Sequence, residues 1–171
     1  MVPSRPGSPL IDEIPGQTAC VMLCDAGPRI SASRTLRLMI NPRILVVDDD
    51  LVIQQLLKVN LELEGYAVEV AEDGEEALAQ FDAFHPNLVL LDIMMPRLDG
   101  WEVCRRLKAG VDSCDVPIVL LSARAQEADV QRGTDLGVAA YVTKPFDPIQ
   151  LLDLVADILA KQGFSSAWEA R

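Results

Sequence analysis

Residues 87–100 read NLVLLDIMMPRLDG, and the fold turns on how this stretch is parsed. Leu88, Val89, Leu90 and Leu91 form an unbroken apolar run that stops at Asp92. A strand with one wet face alternates polar and apolar residues. A run apolar at every position fits a strand buried on both faces, as in parallel sheets. Asp99-Gly100 then supplies a turn signal and a helix cap. A helix over Gly100–Ala109 follows, with Val103 and Leu107 four apart. The unit is strand, loop, helix.

The same unit repeats in both directions. Upstream, Arg43–Asp48 (RILVVD) is another apolar run ending in acid, and Leu51–Glu64 places Ile53, Leu56, Leu57 and Leu61 on one helical face. Gly65 closes that helix, because glycine tolerates the left-handed conformation helices commonly end on. Tyr66–Ala71 (YAVEVA) reads as a strand, and Asp73–Phe84 as a helix through Ala77, Leu78, Phe81 and Phe84. Downstream, Pro117–Ser122 (PIVLLS) is a strand, residues 125–136 a weaker helix and Ala139–Thr143 the fifth strand. Asp147–Lys161 is the clearest helix, with Leu151, Leu152, Val155, Ile158 and Leu159 on its apolar stripe. Strict strand–helix alternation predicts an α/β fold, a doubly wound parallel sheet with helices on both faces and right-handed crossovers.

Residues 1–42 behave differently. Six prolines, Pro3, Pro6, Pro9, Pro15, Pro28 and Pro42, punctuate them, and no period is sustained. They read as a disordered N-terminal extension ahead of a domain over 43–162, with 163–171 as a tail. Met39, just before the first strand, is the alternative native start. The net charge of −11 argues against non-specific nucleic-acid binding, which needs lysine and arginine to displace counterions, so no direct nucleic-acid contact is expected. No apolar run reaches the ~20 residues of a membrane span, so no membrane insertion is expected either. The four cysteines are Cys20, Cys24, Cys104 and Cys114. They lack a second Cys or His pair at zinc-site spacing and read as free thiols of a cytoplasmic protein.

Ligands of open α/β sheets bind at the carboxyl ends of the strands. There the topology gathers Asp48, Asp49 and Asp50 after the first strand, Asp92 after the third, Ser122 at the fourth and Lys144 after the fifth. Carboxylates this close need a cation, and Mg²⁺ suits hard oxygen donors. The set implies an anionic substrate: a phosphoryl group whose oxygens meet metal, Lys144 and the Ser122 hydroxyl, with Asp92 as nucleophile.

At this point a resemblance becomes specific. ILVVDDD (44–50), LVLLDIMMPRLDG (88–100), PIVLLSA (117–123) and AAYVTKPF (139–146) together resemble the receiver domain of bacterial two-component response regulators, over residues 43–162. The resemblance implies a flavodoxin-like sheet of order 2-1-3-4-5. It makes Asp92 the phosphoacceptor, fed by a sensor histidine kinase or a phosphotransfer protein of a phosphorelay. It makes Asp49 a direct Mg²⁺ ligand, Asp48 one acting largely through water, and Met94 the donor of a backbone carbonyl to the metal. Ser122 matches the hydroxyl that meets the phosphoryl group, Lys144 the family's lysine and Tyr141 the switch aromatic. Met94 and Arg124 occupy positions that tune hydrolysis, and Lys144-Pro145 is expected to be cis. Such a protein is no enzyme beyond its own phosphorylation and dephosphorylation.

The resemblance further implies a phosphorylation-linked surface on the fourth helix, fifth strand and fifth helix, facing a downstream protein target or output domain. Ala139 and Ala140 stand where winged-helix regulators carry an acidic pair, and Asp153, Leu154 and Asp157 lie on the fifth helix. The salt-bridged dimer of those regulators is therefore not expected, although another phosphorylation-dependent homodimer is compatible with the sequence. Because little chain follows the fifth helix, a stand-alone receiver and a fragment of a longer regulator are both expected forms.

Two rival readings compete with this one. Asp48-Asp49-Asp50-Leu51-Val52 also fits the D-x-D-x-[TV] motif of haloacid-dehalogenase-type phosphohydrolases, with Asp48 as nucleophile and Asp50 as general acid. That reading leaves Asp92 unexplained and lacks an acidic pair after Lys144. An unphosphorylated, receiver-like binding module is the other rival; it usually lacks a core acid or the lysine, and here all are present.

Overall fold

The structure is a computed structural model and describes residues 12–13, 41–123 and 126–164. In chain order the elements are β1 (Asp12–Glu13), β2 (Arg43–Val47), α1 (Leu51–Leu63), β3 (Ala67–Ala71), α2 (Gly74–Phe84), β4 (Leu88–Asp92), α3 (Gly100–Ala109), β5 (Ile118–Ser122), α4 (Glu127–Asp135), β6 (Ala140–Thr143) and α5 (Pro148–Lys161). Strands β2 to β6 form a parallel sheet of spatial order β3-β2-β4-β5-β6, which is 2-1-3-4-5 counted along the receiver region. The short β1 adds antiparallel to the outer edge of β6, Asp12 opposite Tyr141 and Glu13 opposite Ala140. The sequence reading contained no strand there, because two residues carry no periodicity. The rest of the extension, Cys20, Cys24 and Met39 among it, lies outside the described residues, as do Arg124, Trp168 and the end of the tail.

The unbroken apolar runs are explained by two core layers. Ile44, Val46, Leu88, Leu90, Val119 and Leu121 face α1 and α5. Their neighbours Leu45, Val47, Val89, Leu91, Ile118 and Leu120 face α2, α3 and the inner side of α4. Successive residues of a strand point to opposite faces, so a sheet covered on both sides needs apolar residues at every position.

Aspartates start four of the helices. Asp50 accepts from the N–H groups of Val52 and Ile53, Asp73 from Glu75 and Glu76, Asp99 from Glu102, and Asp147 from Ile149. Each satisfies an N–H that the first helical turn leaves unpaired. Helix α4, the one with weak sequence signal, has no side-chain cap. At the end of α1, Gly65 takes φ of 87°. Gly65 N–H then reaches Glu62 O and Tyr66 N–H reaches Leu61 O, closing the paired motif of helix ends.

One expectation for α1 is corrected. Leu56 is 42 % exposed, and the polar Gln54 is buried instead. The Gln54 amide donates to the backbone carbonyls of Asp48 (2.6 Å) and Ala71 (3.2 Å), tying the ends of β2 and β3 together. Ala71 O also accepts from the Asp48 N–H (3.2 Å), so the Gln54 amide adds a second tie at a junction of polar backbone groups, where a polar side chain is the better occupant.

Candidate functional site

Site residues come from strand ends that the sheet register sets side by side. Val47 pairs with Leu91, so Asp48 follows β2 next to Asp92 at the end of β4. Asp92 pairs with Leu121, the residue before Ser122, and Ser122 pairs with Thr143, the residue before Lys144. Lys144 N–H donates to Ser122 O at 2.7 Å, which pins the end of β6 to that of β5. The Lys144-Pro145 bond is cis, as the resemblance implied.

Asp48 and Asp92 are buried, while Asp49 is exposed. A carboxylate oxygen from each of the three can be chosen so that all lie within 4.8 Å of one another. Lys144 Nζ stands 2.6 Å from Asp48 Oδ2 and 3.4 Å from Asp92 Oδ1. Asp48 also accepts from the Asp50 N–H at 2.9 Å, which fixes its rotation. Burial pushes the Asp92 carboxyl above the usual carboxylate range, with nearby Asp48 adding to the push and Lys144 opposing it. Three acids against one ammonium leave a charge of −2 at full ionisation, so the donor set fits a hard divalent cation such as Mg²⁺. Asp48, Asp49 and Asp92 are the residues that would hold it. Met94 follows two residues after Asp92 with its side chain exposed, so its backbone is what the site could use.

Ser122 is buried beside this cluster, and its hydroxyl shares a hydrogen bond with the Tyr141 phenol. Tyr141 is turned inward, and burial pushes its phenol above its ordinary pKa. A Cβ built on Gly133 of α4 would come within 3.9 Å of the Tyr141 ring. The ring therefore lies under α4, where a change at Ser122 has a path to the surface.

The residues predicted from sequence thus converge, with Asp50 set apart. Its carboxylate caps α1, 2.8 Å from the Val52 N–H, so it is engaged in helix capping rather than in the cluster. Asp50 is the residue to which the phosphohydrolase reading assigns the general acid. Sequence reasoning missed three contacts: Gln54 across β2 and β3, an ion pair between Asp73 and Arg97, and Arg132 stacked 4.4 Å above the Trp101 ring. An Asp-Gly step at 73–74 could have marked the Asp73 cap, whereas the ion pair, the ring stack and the Gln54–Ala71 bond join residues distant in the chain.

Comparison with known proteins places this geometry in a family. Residues 44–156 match the model of the response regulator receiver domain. The chain is similar to the "Probable transcriptional regulator ycf27" of Cyanophora paradoxa, 45 % identical over 119 residues, covering 70 % of this chain and 48 % of that protein. It is also similar to the "DNA-binding dual master transcriptional regulator RpaA" of Synechocystis sp., 41 % identical over 120 residues, covering 70 % and 50 %. The chain spans about half the length of these curated relatives. Among solved structures, a CheY-like response regulator receiver domain protein from Methanospirillum hungatei aligns with a TM-score of 0.68 at 32 % identity, covering 72 % of this chain and 97 % of that one. On its motifs, its strand order and these matches, the chain belongs to the response-regulator receiver domain family.

Proposed function

We propose that the protein is a phosphorylation-dependent receiver that takes a phosphoryl group from a histidine kinase's phosphohistidine onto Asp92. The observation that carries this reading is the placement of Asp92, its carboxylate grouped with Asp48 and Asp49 within 4.8 Å and its Oδ1 3.4 Å from the Lys144 ammonium. An Asp92 oxygen attacks phosphorus, the bond from phosphorus to the donor imidazole nitrogen breaks, and its electron pair returns to the imidazole. When bound, Mg²⁺ offsets the carboxylate charge and that of the phosphoryl oxygens. Lys144 neutralises a further oxygen, and Ser122 turns its hydroxyl from Tyr141 toward the group. Tyr141 and α4 then re-equilibrate between two packed arrangements, which alters the surface offered to a target or output domain.

Among the described residues no helix is long and apolar enough to cross a membrane. A cytoplasmic location beside a kinase's catalytic region accords with the reading. Phosphotransfer from a panel of histidine kinases, with Asp92→Asn as control, tests it. Acid-stable but base-labile label on the wild type and none on the variant is the expected result. Label that persists in Asp92→Asn and is lost in Asp48→Asn overturns it in favour of the phosphohydrolase.

A further inference from the structure

The loop of residues 93–99 leaves the sheet at Asp92, carries Met94 and returns at Gly100. Its two ends are tied to each other: the Gly100 N–H donates to Ile93 O at 3.0 Å. Its outer half leans on a different corner of the molecule, the turn between β3 and α2. There the Arg97 guanidinium pairs with the Asp73 carboxylate. The next residue, Leu98, lies so close to Gly74 that a Cβ built there would fall 2.6 Å from Leu98 O.

The two partners of that ion pair are unequal. Asp73 is fixed: it is buried and accepts from the Glu75 and Glu76 N–H groups at 2.8 and 2.9 Å. Arg97 has φ of 67°, in the left-handed region that a residue with a Cβ avoids unless something holds it. Its side chain is 66 % exposed and makes no contact with the acidic cluster's lysine or carboxylates. Its ion pair reaches instead to a carboxylate that a helix N-terminus already immobilises. An arginine in a disfavoured conformation, fastened to a rigid anchor outside the loop, constrains the backbone on both sides of it.

We propose that the Asp73–Arg97 pair is a clamp that positions the 93–99 backbone at Met94 and thereby sets the affinity of the Asp48, Asp49 and Asp92 cluster for a divalent cation. Arg97 and Asp73 are positioning residues, acting through the loop and touching neither metal nor phosphoryl group. The claim rests on the reading of that cluster as a Mg²⁺ site.

Three measurements on the full chain test it: amide exchange over residues 93–99 without metal, calorimetric titration with MgCl₂ alone, and thermal melting. Arg97→Ala leaves the Asp73 cap in place. It is expected to speed exchange over 93–99 and raise the Mg²⁺ dissociation constant roughly 10-fold, the low end for groups one step removed from a metal's ligands. Arg97→Lys restores both to within about 2-fold, since the ammonium can still pair with Asp73. Asp73→Asn, which keeps a capping side chain, weakens Mg²⁺ binding to a similar extent and adds little to Arg97→Ala. A lowered melting temperature with unchanged exchange and unchanged Mg²⁺ affinity makes the pair merely structural and overturns the proposal. So does a loosened loop with unchanged affinity. Wild-type protein that binds no Mg²⁺ defeats the reading of the site, and the positioning role with it, even if metal-free exchange still shows the loop to be clamped.

Discussion

The Lys144 ammonium lies 2.6 Å from Asp48 Oδ2, closer than its 3.4 Å approach to the Asp92 oxygen it would serve. Lys144 therefore does the charge compensation that the acidic cluster needs before a phosphoryl group arrives. Two opposed effects follow from its removal. Lys144→Met leaves the carboxylates less compensated, so Mg²⁺ should bind several-fold tighter by titration. The same variant has lost a charged donor to the transferring group, and the rate of Asp92 labelling should fall about 10²-fold. Weaker Mg²⁺ binding in this variant would show that Lys144 orders the site rather than competing with the metal.

Asp92 carries a pH signature. Its folded pKa is raised, first by burial. Between the ordinary carboxylate value of 3.8 and the raised folded value, the native state therefore keeps a proton that the unfolded chain releases. Its contribution to stability is complete below the unfolded pKa and is lost as pH rises through the folded one. Asp92→Asn should thus be more stable than wild type at pH 7, by a few degrees in Tm, with the difference shrinking toward pH 4. Adding Mg²⁺ should narrow the gap from the other side, by stabilising the wild type more than the variant. Denaturation midpoints across pH, with and without Mg²⁺, check both. A difference that stays constant with pH would detach it from Asp92 titration.

Gly100 is where the site has no slack. A Cβ there would fall 2.1 Å from Asp92 O and 2.8 Å from Ile93 Cα, both backbone atoms that cannot swing aside. Gly100→Ala must push α3 away from the strand end that carries Asp92. It should cost at least about 2 kcal/mol, toward the upper end for overpacked sites, and slow labelling even where the protein remains folded. Denaturant unfolding and labelling rates measure the two losses separately. Wild-type values for both would mean that the backbone relaxes freely.

How much of this was legible beforehand depended on distance along the chain. The runs at 44–47, 88–91 and 118–121 announced two-sided burial, and Asp48, Asp92, Ser122 and Lys144 followed because each directly succeeds or ends a strand. Gln54 was hidden, since helical periodicity registers apolar residues and its partners are backbone carbonyls brought together only once β2 and β3 pair. The same holds for Arg97 and Arg132. Their partners, Asp73 and Trp101, are set by tertiary packing, and the left-handed backbone of Arg97 leaves no trace in an arginine. Strand β1 was too short to read. Its pairing belongs to residues before 44, where the family match begins.

The hydrogen bond between Ser122 and Tyr141 joins the end of β5 to a ring that lies under α4, the route along which the proposed phosphorylation would be felt. Tyr141→Phe keeps the ring and removes the phenol, so the buried Ser122 hydroxyl loses a partner at a cost of about 1–3 kcal/mol. Labelling of Asp92 should stay within about 2-fold of wild type, because no group that touches phosphorus is altered. The phosphorylation-induced change in amide exchange over α4 and β6 should shrink. An undiminished change would assign the coupling to the ring alone.

The outer face of α1 is unexpectedly apolar. Val52, Leu56, Val59 and Leu63 recur at helical spacing along one exposed stripe, with Val52 76 % and Leu63 79 % exposed. Its first residue stands just past Asp49 and Asp50, at the lip of the acidic cluster. On the proposed function, a protein that brings phosphohistidine to Asp92 seats itself over that lip, and an apolar helical face would bury the stripe. Val52→Asp changes neither the core nor the cluster, and its melting temperature should match wild type within a degree or two. Phosphotransfer from a cognate kinase should slow about 10-fold or more, while labelling by a small donor such as phosphoramidate stays unchanged. Equal slowing with both donors would place the defect in the chemistry of the site instead, and no slowing with either would remove α1 from the docking surface.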